Sequence, residues 1–151
     1  MLKKALRAVV FSARATTAQL YPGRDTFEFD QGHVKVLIYN NHCYSTVVRL
    51  NGAGAPGSGR VEVYYKGVWG TVCDDSWDID DAHVVCRMLG FPKALHAHSN
   101  AKYGQGTGLI WLDNVQCNGN EASIAKCPRK QWGDEDCTHS EDAGVVCLIT
   151  G

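Results

Sequence analysis

What the chain does not contain narrows its function first. There is no Gly-x-x-x-x-Gly-Lys-Ser/Thr loop. The one glycine-rich run, Tyr103-Gly104-Gln105-Gly106-Thr107-Gly108, has no lysine and precedes a strand pattern, which argues against a phosphate cradle for a nucleotide. No Gly-x-Ser-x-Gly elbow occurs, and His139, Ser140 and Asp142 are near neighbours in sequence, whereas a hydrolytic triad draws its members from separate elements. The chain is therefore not read as an enzyme. No two cysteines stand two to four residues apart, and Cys137-Thr138-His139 is the one close Cys/His pair, so a zinc module is disfavoured; His83, His96 and His98 form no metal motif and read as surface or satisfied residues. Long apolar runs are missing too. Ala8-Val9-Val10-Phe11 is too short to cross a bilayer, and no membrane insertion is expected within this chain. Asn-x-Ser/Thr acceptors are absent.

Charge of one sign is missing in places. Residues 1–24 hold Lys3, Lys4, Arg7, Arg14 and Arg24 and no acid, while from Leu50 onward 13 acids face 8 Lys and Arg. A uniformly basic surface is thus lacking in the main part of the chain, and nucleic acid is not expected as a dedicated partner.

Cysteine, by contrast, is plentiful. Six of the seven (Cys73, Cys86, Cys117, Cys127, Cys137, Cys147) crowd into about 75 residues, the density of a disulfide framework and hence of an oxidising compartment. Spacing alone leaves all fifteen pairings open. A hydrophobic content of 44%, with four Trp and six Tyr, indicates a packed core, and 151 residues suffice for one domain plus an appendage.

Taken in order, residues 1–24 read as a basic, disordered or non-native start with a turn at Tyr21-Pro22-Gly23. Residues 25–46 read as a hairpin, Thr26-Phe27-Glu28-Phe29 returning through His33 to Tyr39, or as the remnant of a preceding module. Cys43 is either a buried thiol or a partner for another chain or segment. The main domain, 47–151, opens with the strand Val47-Val48-Arg49-Leu50. A hairpin follows, Arg60 to Tyr65 and Val68 to Cys73 across Lys66-Gly67. Asp78 or Asp80 can cap a helix with Ala82, Val85, Cys86 and Leu89 on one face, ended by Gly90 and Pro92. Ala94 to Gly108 has mixed composition. Leu109 to Leu112 reads as a buried strand, Asn120 as the cap of a short helix ending near Cys127, and Val145 to Ile149 as the last strand.

One stretch stands out: Val68-Trp69-Gly70-Thr71-Val72-Cys73-Asp74-Asp75-Ser76-Trp77. Trp69 and Val72 suit a half-buried strand, and Cys73 ties down its end. Asp74 and Asp75 then repel each other beside a covalent anchor, a cost best offset by a cation; the alternative is an acidic turn.

Several runs in order carry a family resemblance. Val48-Arg49-Leu50-Asn51-Gly52, Gly59-Arg60-Val61-Glu62-Val63, Trp69-Gly70-Thr71-Val72-Cys73-Asp74-Asp75, Val85-Cys86-Arg87-Met88-Leu89-Gly90, Ile110-Trp111-Leu112-Asp113-Asn114-Val115 and His139-Ser140-Glu141-Asp142-Ala143-Gly144-Val145-Val146-Cys147 resemble scavenger receptor cysteine-rich (SRCR) domains over residues 47–148. Phe91 stands where the eight-cysteine group has a cysteine, and Ala53 to Ser58 lacks another, so the resemblance is to the six-cysteine group A and to the domain that ends macrophage scavenger receptors.

The resemblance implies an α+β fold, a curved antiparallel sheet cradling one main helix with a short second one, stapled by Cys73–Cys137, Cys86–Cys147 and Cys117–Cys127, each bridge contributing roughly 2–4 kcal/mol. It implies Ca2+ at Asp74, Asp75 and Glu141, and a second cation position at Asp75, Asp113 and Asp136, since carboxylate oxygens suit hard cations. Arg60, Arg87, Arg129 and Lys130 are candidate anion contacts. The segment Gly59 to Val63 with Trp69 also resembles a microbial-binding motif of mucosal members, although Val61 and Val63 suit the core. The implied function is a non-catalytic, extracellular, secreted or ectodomain module binding polyanions (modified lipoproteins, sulfated glycans, microbial surface polymers) or extracellular proteins with calcium. The alternatives are an accessory domain of a larger secreted enzyme, of the serine protease or lysyl oxidase type, and an adhesion module without cation dependence.

Overall fold

A computed structural model describes residues 46–151 and, ahead of them, the backbone of four strands: β1 (Ala18–Leu20), β2 (Thr26–Asp30), β3 (Lys35–Tyr39) and β4 (His42–Tyr44). These strands pair antiparallel in chain order, β2 with β3 from Thr26↔Tyr39 to Asp30↔Lys35. β1 falls inside the stretch that composition alone leaves without structure. The expectations placed on residues 1–17, on the Tyr21-Pro22-Gly23 turn and on the Cys43 thiol lie outside the described residues and side chains.

The rest is α+β, with six strands and one helix. β5 (Val47–Asn51), β6 (Ser58–Tyr65), β7 (Val68–Val72), β8 (Ala94–His98), β9 (Leu109–Leu112) and β10 (Gly144–Cys147) form one curled sheet in the order β8-β10-β6-β7-β9, with β5 also on β6. At eight residues β6 is long enough to pair with three strands. Its hairpin to β7 closes on Tyr65↔Val68 with Lys66 and Gly67 both at positive φ (48° and 85°), the two-residue turn whose twist matches the strands it joins.

α1 (Ile79–Met88) starts and stops by local chemistry. Asp78 caps it and forms a reciprocal capping box with Asp81. At the other end Gly90 adopts φ 88°, its N–H bonds Arg87 O at 3.0 Å and the Phe91 N–H bonds Cys86 O at 2.9 Å, a Schellman ending. The helix buries Ala82, Val84, Val85 and Cys86 against Val61, Val63, Val72, Leu112, Val115, Ile124 and Val145. Three disulfides staple this core: Cys86–Cys147 joins α1 to β10, Cys73–Cys137 joins the end of β7 to the C-terminal loop, and Cys117–Cys127 closes a loop.

Three features depart from the sequence expectation. β8 forms within the stretch of mixed composition, Ala94 to Gly108, to which the sequence assigns no strand. The short second helix is a single 3-10 turn, Ile124–Lys126, capped by Ser123 and not by Asn120. The sheet is antiparallel except at β7 and β9, which run parallel with Gly70↔Leu109 and Val72↔Leu112 as partners. That exception builds the site.

Candidate cation site

Parallel neighbours end on the same side of a sheet. β7 runs out into Cys73-Asp74-Asp75 and β9 into Asp113, and the Cys73 N–H extends the ladder to Leu112 O at 2.8 Å. Each acid is followed by a left-handed residue, Ser76 (φ 65°) after Asp75 and Asn114 (φ 51°) after Asp113, and the two side chains meet, Ser76 Oγ donating to Asn114 Oδ1 at 3.3 Å. Both strands therefore turn away at once and leave their carboxylates together. Oxygens of Asp75 and Asp113 lie within 4.8 Å of each other beside the Cys73–Cys137 bridge.

That bridge brings in the C-terminal acids. Asp75 Oδ2 lies 3.8 Å from the Cys137 sulfur, and the Asp74 N–H donates to Glu141 O at 2.7 Å. Partial burial and then the surrounding charges of Asp113, Glu141, Asp136 and Asp74 push the Asp75 carboxyl above its usual range. The five acids expected from the sequence are thus one neighbourhood centred on Asp75. Asp74 and Glu141 also hold backbone: Asp74 Oδ2 accepts from Asn100 N–H and Glu141 Oε2 from Thr138 N–H at 2.8 Å.

Where the resemblance implies a second cation position, a lysine lies on two of the three carboxylates. The loop after Cys127 lies along β9, with Lys130 N–H on Asp113 O at 3.1 Å and Gly133 N–H on Trp111 O at 2.9 Å. The Lys130 ammonium donates to Asp113 Oδ2 at 2.6 Å and to Asp136 Oδ1 at 2.9 Å. These two bonds hold the lysine well above its ordinary range and, through the same contact, lower Asp136. Lys130 is accordingly not a free anion contact. Asp113 is fully buried, and its other oxygen, Oδ1, has no partner among the described residues. A buried, partnerless carboxylate oxygen beside a second carboxylate is what a hard cation fits, and Asp75, Asp113 and Asp136 are the side chains that would hold one there.

The other proposed anion contacts do not assemble. Arg60 is only 9% exposed. Its Nη2 and Nε bond Glu62 Oε1 at 2.9 and 3.1 Å, and its Nη1 bonds Gly104 O at 2.8 Å. Burial alone would raise the Glu62 carboxyl; hydrogen bonds from Arg60 and Arg49 outweigh it and hold it low. Arg129 lies over the Trp132 ring at 4.5 Å and donates to Lys130 O and Ala125 O. Arg87 alone of the four is exposed, touching Glu121 O at 3.1 Å. Within the other expected motif, Val61 and Val63 are core, and Trp69 is covered by the Arg49 guanidinium at 4.1 Å.

Nor is there a catalytic array among His139, Ser140 and Asp142. His139 Nδ1 meets the buried Asp142 at 3.0 Å and its Nε2 meets Gly108 O at 3.0 Å, while the Ser140 hydroxyl is bonded to Thr138. The Asp142 carboxylate also accepts from Gly106 N–H at 2.6 Å. These contacts pin the glycine-rich loop to the sheet and leave no activated nucleophile.

The model of the scavenger receptor cysteine-rich domain matches residues 51–148. The chain belongs to the SRCR family. The SRCR region is 58% identical over 89 residues to lysyl oxidase homolog 3B of Danio rerio, covering 59% of this chain and 11% of that protein. It is 54% identical over 100 residues to macrophage scavenger receptor types I and II of Mus musculus, covering 66% of this chain and 22% of the receptor. Among solved structures, the third SRCR domain of murine neurotrypsin superposes with a TM-score of 0.63 at 45% identity, over 69% of this chain and 97% of that one. The chain thus spans 9% to 22% of the length of such curated relatives. The SRCR domain is a non-catalytic module, and no helix among the described residues is long and apolar enough to cross a membrane.

Proposed function

We propose that this SRCR domain is an extracellular, calcium-dependent binding module for anionic ligands, with Asp75 as the acid shared by two cation positions. The observation that carries this reading is the convergence of Asp75 on the buried Asp113, whose Oδ1 finds no partner among the described residues. Asp74 and Glu141 complete one ligand set and Asp136 the other. When bound, a divalent ion supplies a positive centre that an anionic ligand can share. Because Arg60, Arg129 and Lys130 are engaged internally, that centre carries the anion contact in place of a guanidinium cluster, and sulfated glycans, modified lipoproteins and microbial polymers are the ligand class. Three disulfides and the scavenger-receptor relative accord with an oxidising, extracellular setting.

Calcium titration by calorimetry, with heparin as the anionic probe, tests the proposal. Asp75→Ala is expected to weaken calcium binding by about tenfold or more and to abolish calcium-dependent heparin retention. Unchanged ion affinity and unchanged heparin binding would overturn it. The 58% identity to a lysyl oxidase homolog favours a second setting, the same module as an accessory domain of a larger secreted enzyme. The full-length gene product decides between them: an oxidase or protease domain in the same chain places the module there, a collagenous stalk in a receptor.

A further inference from the structure

We infer that Lys130 is a tethered competitor for the second cation position, so that a divalent ion is taken up there only as the lysine leaves. The inference rests on the cation site proposed above and concerns its regulation. Lys130 sits on the two acids that are not shared with the first position, Asp113 at 2.6 Å and Asp136 at 2.9 Å. It is held there by its own backbone, whose N–H bonds Asp113 O, and by Gly133 N–H on Trp111 O, so its effective concentration at the site is high. An ammonium uses one oxygen of each carboxylate as a directional acceptor. It leaves Asp113 Oδ1 buried without a partner among the described residues, and a cation of higher charge and coordination number would engage that oxygen. The two cannot share the carboxylates, because like charges at such separations in a partly buried site repel strongly.

The side chain is 31% exposed, so an outward path exists. Asp136, at 75% exposed, gives way without repacking, whereas Asp113 is fixed in the core. Exchange therefore trades a salt bridge for an ion without disturbing the fold, and it frees an ammonium on the face where an anionic ligand would sit. The first position, built from Asp74, Asp75 and Glu141, carries no such competitor in its described contacts. The two positions are thus expected to fill in sequence, the Asp74 side first.

Calcium titration of the wild-type chain and of Lys130→Met tests this, together with mass-spectrometric amine acylation of the wild type with and without calcium. Lys130→Met is expected to bind calcium at its weaker position about tenfold more tightly than wild type. Acylation of Lys130 is expected to rise several-fold on calcium addition, while the exposed Lys93 and Lys102 stay constant as internal references. If both proteins bind calcium alike, or Lys130 acylation does not respond, the competitor role is overturned and the cation site stands. If neither protein binds calcium, the cation site itself fails and this inference with it. The acylation arm uses wild-type protein and is independent of whether the variant folds.

Discussion

At the scale of single residues, the most consequential acid outside the cation site is Asp81. It is fully buried at the first turn of α1, where its carboxylate accepts from Cys117 N–H at 2.7 Å and from Asp78 N–H at 2.8 Å. It thus ties the helix start to the Cys117–Cys127 loop. Burial nonetheless prevails, and the carboxyl is pushed up to about 6 from 3.8. The folded chain then binds more protons than the unfolded one between those values, so the stability Asp81 contributes is present below about 3.8 and lost as pH rises through about 6. The melting temperature of wild type minus that of Asp81→Asn is therefore expected to grow as pH falls from about 7 to about 4. A flat trend would mean that Asp81 titrates like an exposed acid, and an opposite one that its hydrogen bonds outweigh burial. Lys130 shows the limit of sequence at this scale. A basic doublet, Arg129-Lys130, stands four residues before the acidic run Asp134-Glu135-Asp136, and nothing in that pattern says that the lysine reaches back to Asp113. Which carboxylate a flexible ammonium meets is decided by the loop's path along β9.

Among elements, the parallel β7–β9 pair organises the site, and it depends on Gly70. A Cβ at Gly70 would lie 2.5 Å from the Trp111 ring and 2.7 Å from Leu109 O, so the indole of β9 packs directly on the backbone of β7 and its Nε1 bonds Val68 O at 3.0 Å. Gly70→Ala is expected to destabilise the domain by about 1–3 kcal/mol in urea unfolding, and to weaken calcium binding more than an equally destabilising change in α1 does. The hairpin of β6 and β7 and the capped helix were legible because their signals are local: alternating Val residues, a Lys-Gly turn, and Asp78 with Gly90 at the two helix ends. β8 was not, since Ala94-Leu95-His96-Ala97-His98 has no β-branched residue and becomes a strand only by pairing with β10, some 46 residues later. Parallel pairing is illegible for the same reason, because the crossover that permits it runs through α1 and β8. The family resemblance implies two cation positions drawn from five acids; the strand direction that brings those acids together is seen only in the fold.

For the whole molecule, the disulfide network sets the stability order. The pairs close loops of 64, 61 and 10 residues. Loop-closure entropy assigns about 4 kcal/mol to each long one and about 3 to the short one. The double variant Cys117→Ala/Cys127→Ala is therefore expected to keep a higher melting temperature than Cys86→Ala/Cys147→Ala, which also unties α1 from β10; the reverse order would place the short loop at the centre of the fold. Spacing left fifteen pairings open, and only the resemblance singled out one. The pairing has a topological property besides its energy. Cys73–Cys137 and Cys86–Cys147 interlace, each bridge having one end inside the loop of the other, with Cys117–Cys127 nested within both. A single peptide-bond cleavage anywhere between Cys73 and Cys147 therefore releases nothing: the two pieces remain one covalent molecule. A protease that nicks an exposed loop of this domain produces a clipped but undivided module, and a chain shed in fragments from a cell surface or matrix would carry it as one unit.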